Sequence, residues 1–444
     1  MFDVNVAIVL IISLLVLVAL GVHIAIALGV TSALGVFLVT GGNFTIVQKM
    51  LANTAYEALR AYEFAVIPLF MLMGEFIGKS GAVTDVYKGL NRGLRHIPGR
   101  LAVATVLGNA IFSFVTGVSI ASAAAFSRIA YPEMKRYGYH RGFALGTVAG
   151  SSCLGMLIPP SVLMIVWGLL TEQSIGQIFL AGVLPGFLLV SLFIVYVLGS
   201  ALLRPEVVGG GRDAVRDSDA DDIDVDPKAV WISAMGIAAV VVAVLGGIWY
   251  GFFTPTEGAG AGAFIGLVLG FAKGMRLREM FDAILSVGRT SAPILLLLVT
   301  AALYSRTLAM TGVTNAIQDV FLGSGMAPWM VLGVMVLIWF VLGMVIDSIS
   351  IMLLTVTIFE PIAVNLGYDP IAFAIIGILA IEAGLLTPPF GLLVYTVKAA
   401  IQDDDVSIVE IFKSSTPYWV VMLFGMTLIA IFPQIATYLP GLLF

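Results

Sequence analysis

The sequence predicts an all-α polytopic membrane protein built from two inverted repeats, with two re-entrant helical hairpins and two broken transmembrane helices. Three observations predict it. The 444-residue chain is 60% hydrophobic and 11% charged, with mean hydropathy +1.07, whereas soluble domains carry about 25% charge. Basic residues flank the apolar stretches in a pattern that successive single crossings cannot satisfy. The segments "GMLIPPSV" (155–162) and "GLLTPPFG" (384–391) each set a double proline inside an apolar run.

Apolar runs of about 20 residues recur along the chain, enough for roughly a dozen membrane segments. Lipid leaves unpaired backbone groups without partners, so these runs are read as helices. A β-barrel would show weaker apolar–polar alternation. The net charge of −5 says little about partners, and no nucleic-acid partner is expected. The single cysteine, Cys153, excludes an internal disulfide and a Cys-rich metal site, and is read as a buried small apolar residue. His23, His96 and His140 are not spaced as metal ligands. The start "MFDVNVAIVLIISLLVLVAL" lacks a basic n-region and is read as a retained helix.

In chain order, residues 1–61 hold two scaffold helices (4–20 and 22–40) and an amphipathic arm (44–61). The first repeat, 62–203, opens with a crossing at 62–79. Lys79, Lys88, Arg92, Arg95 and Arg100 then mark one cytoplasmic flank, and Arg128, Lys135, Arg136 and Arg141 mark another. The apolar stretch between them must enter the membrane and return, as a hairpin over about 101–128 with its tip near Thr116, Gly117 and Ser119. One long tilted helix is the competing reading. Irregular backbone at that depth requires surrounding protein or a wet cavity, so the tip is expected to line a site. Residues 141–170 cross outward, broken at Pro159–Pro160, and 179–203 return.

Residues 204–228 are acidic and too poor in apolar residues to pack, and are read as a mobile cytoplasmic linker. Residues 229–290 supply two more scaffold helices (229–252 and 257–272) and a second amphipathic arm (274–290). The second repeat, 291–444, has a crossing (291–311), a hairpin entering from outside (328–360), a broken helix (370–401) and a final crossing (417–440). Both termini then face outside.

One offset of 229 residues relates Pro132 to Pro361, Gly138–Tyr139 to Gly367–Tyr368, Gly155 to Gly384, Ser119 to Ser348, and Pro159–Pro160 to Pro388–Pro389. "SIGQIF" (174–179) echoes "SIVEIF" (407–412) with a four-residue slip. The opposite sidedness of the copies makes the repeat inverted, a recurring design of secondary transporters.

Proline removes a backbone donor and clashes one turn back, and the residue before it avoids helical torsions. Two prolines beside a glycine should open several residues of helix and free carbonyl oxygens at mid-membrane. Unwound carbonyls and half-helix ends suit Na⁺ and an anionic substrate group. Hydroxyls lie nearby in both copies: Thr116, Ser119, Ser122, Ser151 and Ser152 in the first, Ser348, Ser350, Thr355 and Thr387 in the second. Any one of these, taken alone, reads more readily as a hydroxyl bonded back to its own helix, and it is the cluster of breaks and hydroxyls that points to a site.

The repeat therefore predicts two Na⁺ sites. The first comprises Thr116, Gly117, Ser119, Ser151 and Gly155; the second Asp347, Ser348, Glu382, Gly384 and Thr387. Substrate contacts are assigned to Ser119, Ser122, Ser152, Pro160, Ser350, Thr387 and Pro389. Intramembrane charge is costly and commonly functional, so Asp347 and Glu382 serve either ion coupling or a structural pairing. Glu257 is read as a helix cap. Gly258, Gly262, Gly266 and Gly270 form a smooth face that meets either another helix of this chain or a partner.

Three stretches carry a family resemblance: "GVSIASAAAFSRIAYPEMKRYGYHRGFALGTVAGSSCLGMLIPPSVLMIVWG", "FFTPTEGAGAGAF" and "GMVIDSISIMLLTVTIFEPIAVNLGYDPIAFAIIGILAIEAGLLTPPFGLLVYTVKAA". The chain resembles the large membrane subunit of tripartite ATP-independent periplasmic (TRAP) transporters, the DctM-like family, over nearly its full length. It departs in its long acidic linker and in Val118, where the family more often has a hydroxyl. The resemblance implies an elevator transporter of the bacterial inner membrane, importing a carboxylate solute such as a C4-dicarboxylate or sialic acid, driven by Na⁺. It also implies a small four-helix membrane subunit, expected here as a separate chain, and a periplasmic solute-binding protein that docks on the outer face.

Rival readings are a channel or an ion-coupled organic-anion transporter without a binding protein, and an intramembrane enzyme. A channel gains nothing from matched breaks. An enzyme would need a nucleophile–base pair or a diphosphate motif, and Asp403–Asp405 lie in a loop. "GEFIGKS" (74–80) has three residues between its glycines, not the four of a phosphate loop, and follows a membrane helix.

Overall fold

The computed structural model describes residues 4–209, 226–323, 325–401 and 403–444. Among these residues there is no strand, only an isolated bridge between Tyr139 and Val208. The first half holds α1 (Val4–Ala19), α2 (Ile24–Val39), α3 (Phe44–Arg60), α4 (Val66–Lys79), α5 (Ala82–Gly93), α6 (Arg100–Thr116), α7 (Ser119–Arg136), α8 (Arg141–Ser152), α9 (Val162–Thr171) and α10 (Ile175–Leu203). The second holds α11 (Pro227–Trp249), α12 (Pro255–Ala272), α13 (Leu277–Thr311), α14 (Val313–Gly323), α15 (Pro328–Gly343), α16 (Ser348–Asn365), α17 (Pro370–Gly384), α18 (Leu392–Ala400) and α19 (Ile408–Ile431). Among the described residues α10, α11, α13, α16 and α19 are each long and apolar enough to cross a membrane, as is the interrupted segment Arg141–Thr171 that holds α8 and α9, and α2, α6, α15 and α17 are shorter apolar helices.

Local chemistry sets many starts. Asn43 caps α3 through the Thr45 N–H at 3.1 Å. Asp369 caps α17, ahead of a proline at its first position, through Ile371 and Ala372 N–H groups at 2.9 Å. Ser174 and Ser407, related through the four-residue slip, cap α10 and α19. Thr254 and Glu257 form a reciprocal capping box on α12. The last helix accordingly starts at Ile408, not near 417, with Pro417 absorbed inside it.

Two expected boundaries are corrected. The second arm and its crossing, divided at 290/291 by the sequence reading, form one continuous 35-residue helix, α13, with Pro293 inside it. In the first copy Ala61 leaves the helix, and the two flanking segments are bent by 57°. There Pro68 falls in the first turn of α4, where proline is tolerated at a helix start. The linker also begins later than expected. Val208 is buried against Tyr139, and His140 N–H bonds the Val207 carbonyl at 2.9 Å. At its far end α11 already starts at Pro227, capped by Asp226. Residues 210–225, where the linker was read as mobile, lie outside the described residues.

The glycine face of α12 packs within this chain. A Cβ on Gly262 would come within 2.4 Å of Met73 Sδ, and one on Gly266 within 3.2 Å of the Met73 carbonyl, so α12 lies directly on α4. Arg306 of α13 bonds Thr54 at 3.0 Å and pairs with Glu57, holding arm α3 to α13.

The two halves interlock. α9 packs on α16, and α18 packs on α7. Asp403, just beyond α18, pairs with Lys135 at 2.6 Å and accepts from Tyr131 at 3.1 Å, both just before α8. Gln173, just beyond α9, bonds Glu360 at 3.1 Å, just before α17. The end of each broken helix thus meets the start of the other, so the broken helices run antiparallel. Trp167 of α9 packs edge-on to Trp339 and Phe373, with centroids 6.0 and 5.9 Å away, sealing one end of this interlock.

Candidate functional site

Both interruptions are built from backbone. Break 1 begins where Ile158 turns extended and ends at Ser161, whose hydroxyl donates to Met156 O at 2.5 Å. Break 2 spans 385–391, with the Thr387 hydroxyl on Gly384 O at 2.6 Å. The Pro159–Pro160 and Pro388–Pro389 bonds are both cis. Each break holds the nearest hairpin tip. Val162 N–H donates to Gly117 O at 3.1 Å, and Phe390 N–H to Met344 O at 2.9 Å.

Glycine is required where tip meets break. Gly117 has φ +61°, and a Cβ there would sit 2.3 Å from Pro160 O. Gly155 lies against the Ser119 backbone, where a Cβ would approach Cα to 2.7 Å. Gly384 lies equally close to Gly343. The breaks differ in surroundings: Pro159 and Pro160 are buried, whereas Pro388, Pro389 and Phe390 are exposed.

The two clusters that the sequence reading kept apart meet at one side chain. Glu382, 1% exposed, accepts from Ser119 through Oε2 at 2.6 Å and from Ser348 through Oε1 at 3.0 Å. The sequence reading placed Glu382 with the second cluster; its carboxylate also reaches Ser119 of the first. Asp347 instead caps α16, accepting from Ser350 N–H at 3.0 Å and from the Ser350 hydroxyl.

The remaining hydroxyls donate locally. Thr116 bonds Phe112 O, Ser151 bonds Thr147 O, Ser152 bonds Ala149 O and Thr355 bonds Ile351 O. A hydroxyl that donates in this way keeps oxygen lone pairs for a cation. The Ser122 hydroxyl is buried with no hydrogen-bond partner.

Sequence reasoning missed Asn109. Its amide donates to Ser151 at 2.6 Å, while its buried Oδ1 accepts nothing. A buried polar atom without a partner calls for an explanation, and a free amide oxygen is a hard ligand. An Asn in an apolar hairpin helix was the available signal.

A cavity of about 510 Å³ runs beside hairpin 1, between α4, α5 and α13. Gly74, Thr116 and Val118 line its inner part, and Lys79 and Arg128 also line it. Lys79 pairs with Glu75 at 3.5 Å, while Arg128 has no ion pair among the described residues. Both cations belong to the flanks read as cytoplasmic.

The family model for the "Tripartite ATP-independent periplasmic transporter, DctM component" matches residues 11–435. The chain belongs to this family. It is 31% identical over 399 residues to the C4-dicarboxylate TRAP transporter large permease protein DctM of Pseudomonas aeruginosa, covering 88% of this chain and 90% of the relative. It is 27% identical over 422 residues to the ectoine TRAP transporter large permease protein TeaC of Halomonas elongata, covering 92% and 93%. It is 28% identical over 411 residues to the sialic acid TRAP transporter large permease protein SiaM of Vibrio cholerae, covering 91% and 90%. The fold is similar to the crystal structure of the YdaH transporter of Alcanivorax borkumensis, with TM-score 0.63 at 14% identity, covering 89% of this chain and 88% of that one. As a DctM-family permease, the chain is a multi-pass protein of the bacterial inner membrane.

Proposed function

We propose that this chain is the large membrane subunit of a Na⁺-coupled TRAP importer for a carboxylate-bearing solute. The observation that carries the reading is the meeting of two hairpin-and-break pairs at Glu382, among hydroxyls and unwound backbone. Na⁺ takes hard oxygens, and unwound segments with half-helix ends supply them. Site 1 draws on Thr116, Gly117, Ser119, Ser151 and Gly155, joined by Asn109 Oδ1. Site 2 draws on Ser348, Glu382, Gly384 and Thr387, with Asp347 shaping the start of α16. The carboxylate of the solute lies by Ser119, Ser122, Ser152, Pro160, Ser350, Thr387 and Pro389.

C4-dicarboxylate and sialic acid, named for relatives, are carboxylates, and Arg128 suits their release through the cavity beside hairpin 1. In this reading both hairpins re-enter the membrane from opposite sides. They move with the broken helices as one elevator body against a scaffold that includes α1–α4 and α11–α13. A periplasmic binding protein delivers the solute, and a small four-helix subunit completes the membrane assembly.

The test is uptake of labelled succinate and sialic acid into proteoliposomes holding this chain, with the small membrane subunit and binding protein encoded beside it. Saturable uptake that needs both an inward Na⁺ gradient and the binding protein is expected. Uptake indifferent to Na⁺, or linear with concentration, would refute the reading.

A further inference from the structure

Cys153 and Glu382 stand 229 residues apart, the repeat offset, and the Cys153 thiol lies 3.9 Å from the Glu382 carbonyl oxygen. Ser119 and Ser348 are related by the same offset and are the first residues of α7 and α16. All four residues form one buried cluster. The twofold relation would place a carboxylate on each broken helix, yet the chain keeps only one. That one takes a hydroxyl from each hairpin.

The tip–break hydrogen bonds at Gly117 and Met344 each stay within one repeat. The Ser119–Glu382 bond instead spans 263 residues and crosses between repeats. The carboxylate also sits at two helix starts, where backbone N–H groups carry partial positive charge. Among the described residues no cation pairs with it, so the two serines hold its oxygens.

We infer that Glu382 is a shared positioning residue that ties both hairpin tips to one broken helix, so that the tips keep one separation and move as a unit. The consequence for transport rests on the function proposed above, but the tip separation does not. Truncating the side chain would leave two buried hydroxyls without an acceptor and remove the hydrogen-bonded link between the tips. An amide would keep it, because it still accepts from one serine and donates to the other.

The test places spin labels at Ile120→Cys and Val345→Cys, which are 37% and 57% exposed, in the full chain in lipid nanodiscs. The native Cys153 is 1% exposed and stays unlabelled. Pulsed dipolar spectroscopy should give one narrow distance distribution. Glu382→Gln should preserve it. Glu382→Ala should at least double its width and cut uptake tenfold or more. The Ser119→Ala/Ser348→Ala double variant should broaden it likewise, and keeps the test available if Glu382→Ala fails to fold. A distribution as narrow in the truncated variants as in the parent would overturn the inference. Parent uptake that ignores Na⁺ would sink the transport reading instead, and leave the distance result standing.

Discussion

Replacing Gly117 by alanine tests the junction of hairpin 1 with break 1. Three costs act together at this residue. Its φ of +61° is a left-handed conformation, which costs an L-residue roughly 1–2 kcal/mol. The new Cβ would stand 2.3 Å from Pro160 O, a backbone atom that cannot rotate away. Relieving such overpacking costs about 1–3 kcal/mol. The shift also strains the Val162–Gly117 hydrogen bond of 3.1 Å, worth about 1 kcal/mol. The sum is about 3–6 kcal/mol. If the tip alone absorbs it, the closed arrangement loses roughly 100-fold or more in population, at about 1.4 kcal/mol per factor of ten.

Gly81→Ala is the control. Its φ is +76°, with nothing within 4 Å of the added Cβ, so only the torsional cost of roughly 1–2 kcal/mol remains. The assay is Na⁺-driven uptake in proteoliposomes, with thermal stability of the purified protein measured in parallel. Gly117→Ala should lose at least 95% of uptake while Gly81→Ala stays close to the parent. Uptake by Gly117→Ala within twofold of Gly81→Ala would refute the reasoning, because the tip would then not need its seat on the break.

Asn109→Ala should raise the Na⁺ concentration for half-maximal uptake by about tenfold, the loss of one ligand worth about 1.4 kcal/mol, whereas Ser122→Ala should raise the KM for the solute and leave the Na⁺ dependence unchanged; Na⁺ and solute titrations of uptake check this. Arg128→Gln should slow release of a dianion more than of a monoanion, read as a fall in kcat in counterflow, and Arg128→Lys should restore part of it. Gly262→Leu should destabilise the α12–α4 contact by about 1–3 kcal/mol, visible as a lower Tm in detergent, because its Cβ already meets Met73. The Lys135 ammonium holds the Asp403 carboxyl below the usual range, and Tyr131 assists. A depressed carboxylate stabilises above its unfolded value of about 3.9 and loses that contribution as pH falls through the folded one. The Lys135–Asp403 contact should therefore be insensitive to pH from 7 down to about 5 and weaken only in stronger acid; comparing the thermal stability of the parent with that of Asp403→Asn across this pH range checks it.

The residues differ in how far they could be read in advance. Pro159–Pro160 and Pro388–Pro389 announce interruptions because proline acts on its own backbone and the turn before it. Ser174 and Ser407 cap helices for a similarly local reason, yet the sequence reading started those helices at 179 and 417 because it followed the apolar run rather than the cap. The arm before the second crossing gave no such signal. A single Pro293 leaves a helix continuous, and where the amphipathic stretch ends says nothing about a bend. Asn109 and Arg128 were visible as residue types, but the Ser151 hydroxyl that Asn109 meets and the cavity that Arg128 lines come from other helices.

From its sequence alone the chain declared itself a helical membrane protein, repeated at an offset of 229 residues with matched double prolines, because hydropathy, proline chemistry and register are properties of neighbouring residues. Only the tertiary structure decided that Ser119 and Ser348 share the carboxylate of Glu382, that the glycine face of α12 meets α4, and that Asp347 caps a helix. Those pairings depend on how helices rotate and slide against one another when they pack, and that geometry is set by the fit of whole surfaces rather than by spacing along the chain.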